Sequence, residues 1–130
     1  MRSSERDRVE TRRERGAALV EFALVMPILF LLIFGIIEFG RGYHTKTSLS
    51  HAAREAVRIA ALDSGDPVQT ARDAAPNLDP GLITITVTPD PCVLGDPVVV
   101  TLDYDHQYDI PLFGNGTWSF SEDGVMRCGG

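Results

Sequence analysis

Polar and apolar positions are segregated along the first part of the chain. Residues 1–15 are mostly charged, whereas Ala17 to Ile37 is apolar but for Glu21 and is interrupted by Pro27 and Gly35. A run of about twenty such residues is the length a helix needs to cross a bilayer core. A helix apolar on every face needs a large core around it, which a chain of 130 residues cannot supply. The pattern therefore predicts a transmembrane helix. The polar leader is predicted to be disordered unless membrane-bound, because it has almost nothing to bury.

Beyond Gly40 the period changes but the helix continues. Leu49, Ala52, Ala53, Ala56, Val57 and Ala60 recur at helical spacing and form one apolar stripe, and Ser64-Gly65 ends it. Glu55 and Arg58 can pair one turn apart on the polar side. The expected element is a continuous or slightly kinked helix of about 45 residues, half in lipid and half outside, with Pro27 and Gly35 as its weak points. The small side chains of the stripe permit close approach of a neighbouring helix, of the chain's own C-terminal domain, or of both at different levels. Asp66-Pro67-Val68-Gln69 reads as an N-cap, Pro at the first helical position and Gln three residues past the cap. A short helix to about Ala75, stopped by Pro76, should follow.

From there the period is two. Ile83, Ile85 and Val87 alternate with Thr84, Thr86 and Thr88, the mark of a half-buried strand. Val98 to Tyr108 is the longest strand candidate, with Val98, Val100, Leu102 and Tyr104 on one face; Pro111 and Gly114-Asn115-Gly116 are expected to end it. Thr117 to Ser121 and Gly124 to Cys128 read as two further short strands in a hairpin around Glu122-Asp123-Gly124. The fold class is thus α+β: a long N-terminal helix packed on a small antiparallel sheet of three to four strands. The expected divisions are a leader at 1–16, a transmembrane helix at 17–38, an amphipathic extension at 39–63 and a small β-containing domain at 64–130.

Charge gives this arrangement a direction. The net charge of −6 hides an asymmetry: residues 1–16 hold six Arg against four acids, and the remainder holds six bases against fourteen acids. The positive-inside rule then places the leader in the cytoplasm and the C-terminal domain outside. An acidic exterior excludes the basic patch that nucleic-acid binding requires. Cys92 and Cys128 both fall in the outer part, where disulfides persist, and neither has a CxxC partner or metal-ligand spacing. A bridge between them is expected, with two buried free thiols as the alternative.

Candidate chemistry is sparse. Asp103 and Asp105 share a strand face near His106 and Asp109, but calcium-loop spacing is lacking and a solvated polar face explains the acids equally well. His44 and His51 lie seven apart on one helix face with no third ligand. Asn115-Gly116-Thr117 matches a glycosylation sequon and, as Asn-Gly, also a turn, which is the preferred reading. No nucleophile elbow or phosphate-cradling loop is present, so neither a catalytic residue, nor a metal, nor a cofactor is expected.

A charged leader, a Gly, then an apolar run with Glu as its fifth residue resembles the type IV prepilins. The wider string RGAALVEFALVMPILFLLIFGIIEFGRGYHTKTSLSHAAREAVRIAA, residues 15–61, is similar to the TadE-like minor pilins, or pseudopilins, of tight-adherence pilus systems. The combination of Arg15-Gly16, the offset of Glu21, EFGR and AAREAVR carries the resemblance. It implies a non-enzymatic, single-pass subunit of a bacterial cell membrane or pilus. Cleavage by a prepilin peptidase between Gly16 and Ala17 is implied, as is an assembly role for Glu21. The implied partners are other pilin subunits, pilus assembly proteins and the lipid bilayer. Glu21 near the cytoplasmic boundary could instead snorkel to the headgroups. The alternative function is an uncleaved single-span protein whose outer domain binds a ligand or partner.

Overall fold

The computed structural model describes the backbone of residues 2–129 and the side chains of residues 14–129. A single helix, α1, runs unbroken over Arg2–Leu62 and passes through Pro27. Residues 2–15 are therefore helical, where their polarity predicts disorder unless they are membrane-bound. Residues 2–15 contain no Pro or Gly, and Arg and Glu readily extend a helix already nucleated in the apolar run. At the other end Asp63 adopts a left-handed φ of 47°. Asp63 N donates to Ala60 O and Ser64 N to Ile59 O, both at 3.3 Å, which stops the helix with its last carbonyls satisfied.

Helix α2 spans Pro67–Ala74, and Asp66 caps it by accepting from Val68 N and Gln69 N at 2.9 and 3.3 Å. Gln69 does not reach back to close a capping box; it donates to Asp73 Oδ1 at 2.9 Å. Three strands follow, β1 (Ile83–Thr88), β2 (Pro97–Ile110) and β3 (Gly114–Arg127), in an antiparallel meander with β2 central.

Every stripe residue from Leu49 to Ala60 is buried, and faces Val98, Val100, Leu102 and Tyr104 of β2. The core thus lies between the second half of α1 and one face of the sheet. Glu55 and Arg58 do not pair; the ion pairs among the described residues are Arg41–Glu38 and Lys46–Glu122.

The last third of the chain departs from its sequence pattern. The two short strands expected at Thr117–Ser121 and Gly124–Cys128 are one strand, and no hairpin forms around Glu122 and Gly124. Glu122 pairs with Leu102 and Gly124 with Val100 in an unbroken register from Pro97↔Arg127 to Ile110↔Gly114. α1 lies tight against the sheet at Gly124: a Cβ there would strike the Ala53 carbonyl oxygen and crowd a methyl of Val57. Nor do Asn115 and Gly116 form a turn. They lie inside β3 opposite Asp109 and Tyr108, and Gly116 leaves room for the Tyr108 ring. The reversal sits earlier, at Pro111–Phe113, closed by Phe113 N donating to Ile110 O at 3.1 Å.

A disulfide joins Cys92, in the β1–β2 loop, to Cys128 just past β3, with their Cα atoms 5.9 Å apart. Cys128 N donates to Asp96 O and Gly129 N to the Ala61 carbonyl, both at 2.8 Å. The chain end is thereby fastened to the loop before β2 and to the end of α1.

Candidate assembly interface

The two halves of α1 meet opposite environments. From Leu49 onward its apolar stripe is buried, whereas Leu19, Val20, Phe22, Leu24, Ile28, Leu32 and Ile36 are exposed all round the first half. None of the apolar window of this helix is buried inside the molecule, and it is the one described helix long and apolar enough to cross a membrane. A continuous apolar surface of this size is far beyond the scattered patches of a soluble monomer, so something outside the molecule must cover it.

Gly16 is exposed at the start of this surface, with nothing near its Cα that a side chain would meet. Ala17 and Glu21 are exposed too. They are four residues apart, so they share a helix face about 6 Å apart along the axis. Glu21 has no ion-pair partner among the described residues.

At the other end of the apolar run a second carboxylate is treated differently. The Glu38 side chain is only 9% exposed, and its Oε1 accepts from Arg41 Nη1 at 3.1 Å. Its Oε2 is buried without a hydrogen-bond partner among the described residues. One turn on from Arg41, buried Thr45 donates to the Arg41 carbonyl at 3.1 Å. Thr45 Oγ1 also lies 3.3 Å from His106 Nδ1 of β2. Because the hydroxyl proton is already committed, the network assigns the proton of this contact to His106 Nδ1. His106 Nε2 is left buried and unpartnered.

Gly42 sits on the β3 side of the helix, where a Cβ would come within 3.1 Å of the Trp118 ring. Trp118 packs on Tyr108 at a centroid distance of 4.9 Å. Phe39, Tyr43, Lys46 and Trp118 line an open groove of about 640 Å³ between α1 and β3. Glu38, Gly42, Thr45 and His106 thus lie where the exposed half of the helix passes into the buried half. Sequence periodicity did not single them out, because their burial depends on β2 and β3. The one available signal was EFGR, which contains Glu38 and Arg41.

The other candidates are dispersed. His44 and His51 are exposed, and His44 Nε2 is 3.5 Å from the Asn77 amide. Asp103 and Asp105 are exposed, with Asp105 accepting from Ser119 at 2.6 Å. Among the described residues no three His, Cys, Asp or Glu side chains are grouped to hold a metal.

A family model described as TadE-like protein matches residues 16–58. This segment is TadE-like. The TadE-like segment begins at the exposed Gly16, covers the apolar half of α1 and ends within the buried stripe. It includes Glu21, Glu38, Gly42 and Thr45, and excludes the sheet. Neither the curated proteins nor the solved structures gave a match.

Proposed function

We propose that the chain is a minor pilin or pseudopilin: a membrane-inserted structural subunit, cut after Gly16 by a prepilin peptidase, that takes part in assembly of a tight-adherence pilus. The observation that carries this reading is that the TadE-like match takes in the uncovered apolar half of α1, the one described helix long and apolar enough to cross a membrane. Lipid covers that segment before assembly and the helices of other pilin subunits cover it afterwards. The work is structural, with no reaction assigned to any side chain. The positive flank supports a topology with the leader in the cytoplasm and the disulfide-linked sheet outside the cell.

Glycine suits the cleavage point because it can lie extended in a close-fitting peptidase site. N-terminal sequencing of the membrane-extracted protein from cells expressing the peptidase tests the reading. The wild type should begin at Ala17, and Gly16→Leu should accumulate at full length. A Gly16→Leu chain that still matures to Ala17 would reject Gly16 as the cleavage determinant, and a wild type that retains its leader would favour an uncleaved single-span protein instead.

A further inference from the structure

The β2–β3 turn is the part of the sheet furthest from its core and the part beside the apolar half of α1. Pro111 and Leu112 form one wall of a cavity of about 520 Å³ whose other wall includes Met26, Phe30 and Phe34. No charged residue lines it. Leu112 and Phe113 nonetheless project outward, 89% and 74% exposed. We infer that this tip, residues 110–114, is a membrane-inserting loop whose Leu112 and Phe113 side chains enter the acyl region of the leaflet on the sheet's side. The inference rests on reading the apolar half of α1 as a membrane span.

The span sets the depth. The helix residues that line the cavity with the tip run from Phe34 to Ala23, three to fourteen residues inside Ile37, so at 1.5 Å per residue they are roughly 5 to 20 Å below the end of the apolar run. A tip flanking them lies at or below the depth that interfacial apolar side chains reach, within the acyl region. Gly42, against which Trp118 packs, is about 12 Å higher along the helix than Phe34. That level also holds Tyr43 and Tyr108, and Trp and Tyr favour the headgroup zone. Asp109 and Arg41 stand beside a pocket above the tip, while Ile110 to Gly114 carries no charge.

The backbone of the tip is fitted to a dry setting. Strand pairing continues to Ile110↔Gly114, the turn closes its own hydrogen bond, and Pro111 has no N–H to satisfy. The tip therefore exposes fewer unpaired backbone groups than an open loop of the same length would. Leu112 has φ of 73°, in the left-handed region where glycine is unstrained and a bulky residue is an outlier. No internal contact accounts for a leucine there, since its side chain is almost wholly exposed. Insertion into lipid accounts for it.

The full-length chain in phosphatidylcholine vesicles tests this, with Leu112→Cys carrying a nitrobenzoxadiazole label; Cys92 and Cys128 stay bridged. Ile28→Cys and Asp73→Cys, labelled likewise, mark the span and the water, and Phe113→Cys repeats the tip measurement. Doxyl-labelled lipid should remove most of the emission at Leu112, Phe113 and Ile28 and little at Asp73, with iodide showing the reverse order. If lipid quenches Ile28 while iodide reaches Leu112 and Phe113, the insertion is wrong and the span stands. If neither quencher reaches the tip, protein covers it, a second copy being the candidate, and the lipid assignment is wrong. An Ile28 label that lipid does not quench removes the span and the insertion together.

Discussion

Two glutamates mark the apolar run, Glu21 inside its start and Glu38 just past its end, and their surroundings differ. Glu38 is buried against Arg41 at the sheet junction, so its charge is partly answered within the molecule. Glu21 is exposed on an apolar helix with no ion partner among the described residues. A carboxylate within a membrane helix costs up to about 2.5–3.5 kcal/mol, so its retention needs a use. Cleavage after Gly16 would create an α-amino group on Ala17, one turn away, and a neighbouring helix could match this cation to Glu21. In a low-dielectric setting a docking out of register leaves both charges bare, which penalises the wrong partner more than the right one gains. Glu21→Gln is expected to insert and to be clipped normally, but to be lost from complexes purified with pilus components. Wild-type recovery of Glu21→Gln in such complexes would remove the assembly role.

At the scale of elements, the contact that decides stability is α1 against the sheet. The helix presents Ala52, Ala53, Ala56 and Ala60, which contribute modest area but let backbones approach. One tight approach is answered by a glycine, since Gly124 has Ala53 O where its Cβ would stand. The obstacle is backbone rather than a flexible side-chain tip, so helix and strand must separate to admit a methyl group. Overpacking of this kind costs about 1–3 kcal/mol. Gly124→Ala should therefore lower the thermal midpoint of the sheet domain by several degrees, in line with the usual conversion for a small domain. An unchanged midpoint in a thermal melt would show that the helix can shift away freely. The same contact explains why β3 is one strand: its glycine accommodates the helix instead of turning the chain.

For the molecule as a whole, the sheet domain is fastened at one end and open at the other. The Cys92–Cys128 bridge spans 36 residues of sequence and joins the loop before β2 to the end of β3. Closing a loop of that length is worth on the order of 3–4 kcal/mol in the chain-entropy model. A small domain with a core of mostly Ala and Val depends on such a constraint. Reduction, or paired Cys92→Ser and Cys128→Ser substitution, should lower the melting point of the sheet while leaving the helix of residues 17–37 intact in detergent. Far-UV circular dichroism with and without reductant separates the two signals. Concerted loss of helix and sheet would show that the apolar half depends on the domain it carries.

What is local was legible in the chain. The length of the apolar run, the buried stripe from Leu49 to Ala60, the Asp66 cap and the alternation of Ile83, Ile85 and Val87 are carried by short-range periodicity and side-chain chemistry. These set backbone dihedrals and apolar faces before any long-range contact forms. Glycines were misread because their local and tertiary uses look alike in sequence: Gly116 and Gly124 resemble turn residues, but give room to the Tyr108 ring and to the Ala53 carbonyl. The true turn carries Leu112 at a positive φ, against its own preference, so no local rule points to it. The burial of Glu38 and His106, and the seating of the hairpin tip beside Phe34, depend on how a hairpin of two 14-residue strands lies along the helix. Only the tertiary structure decides that, because the contacts join residues some 60 or more positions apart, beyond the range of either strand or helix periodicity.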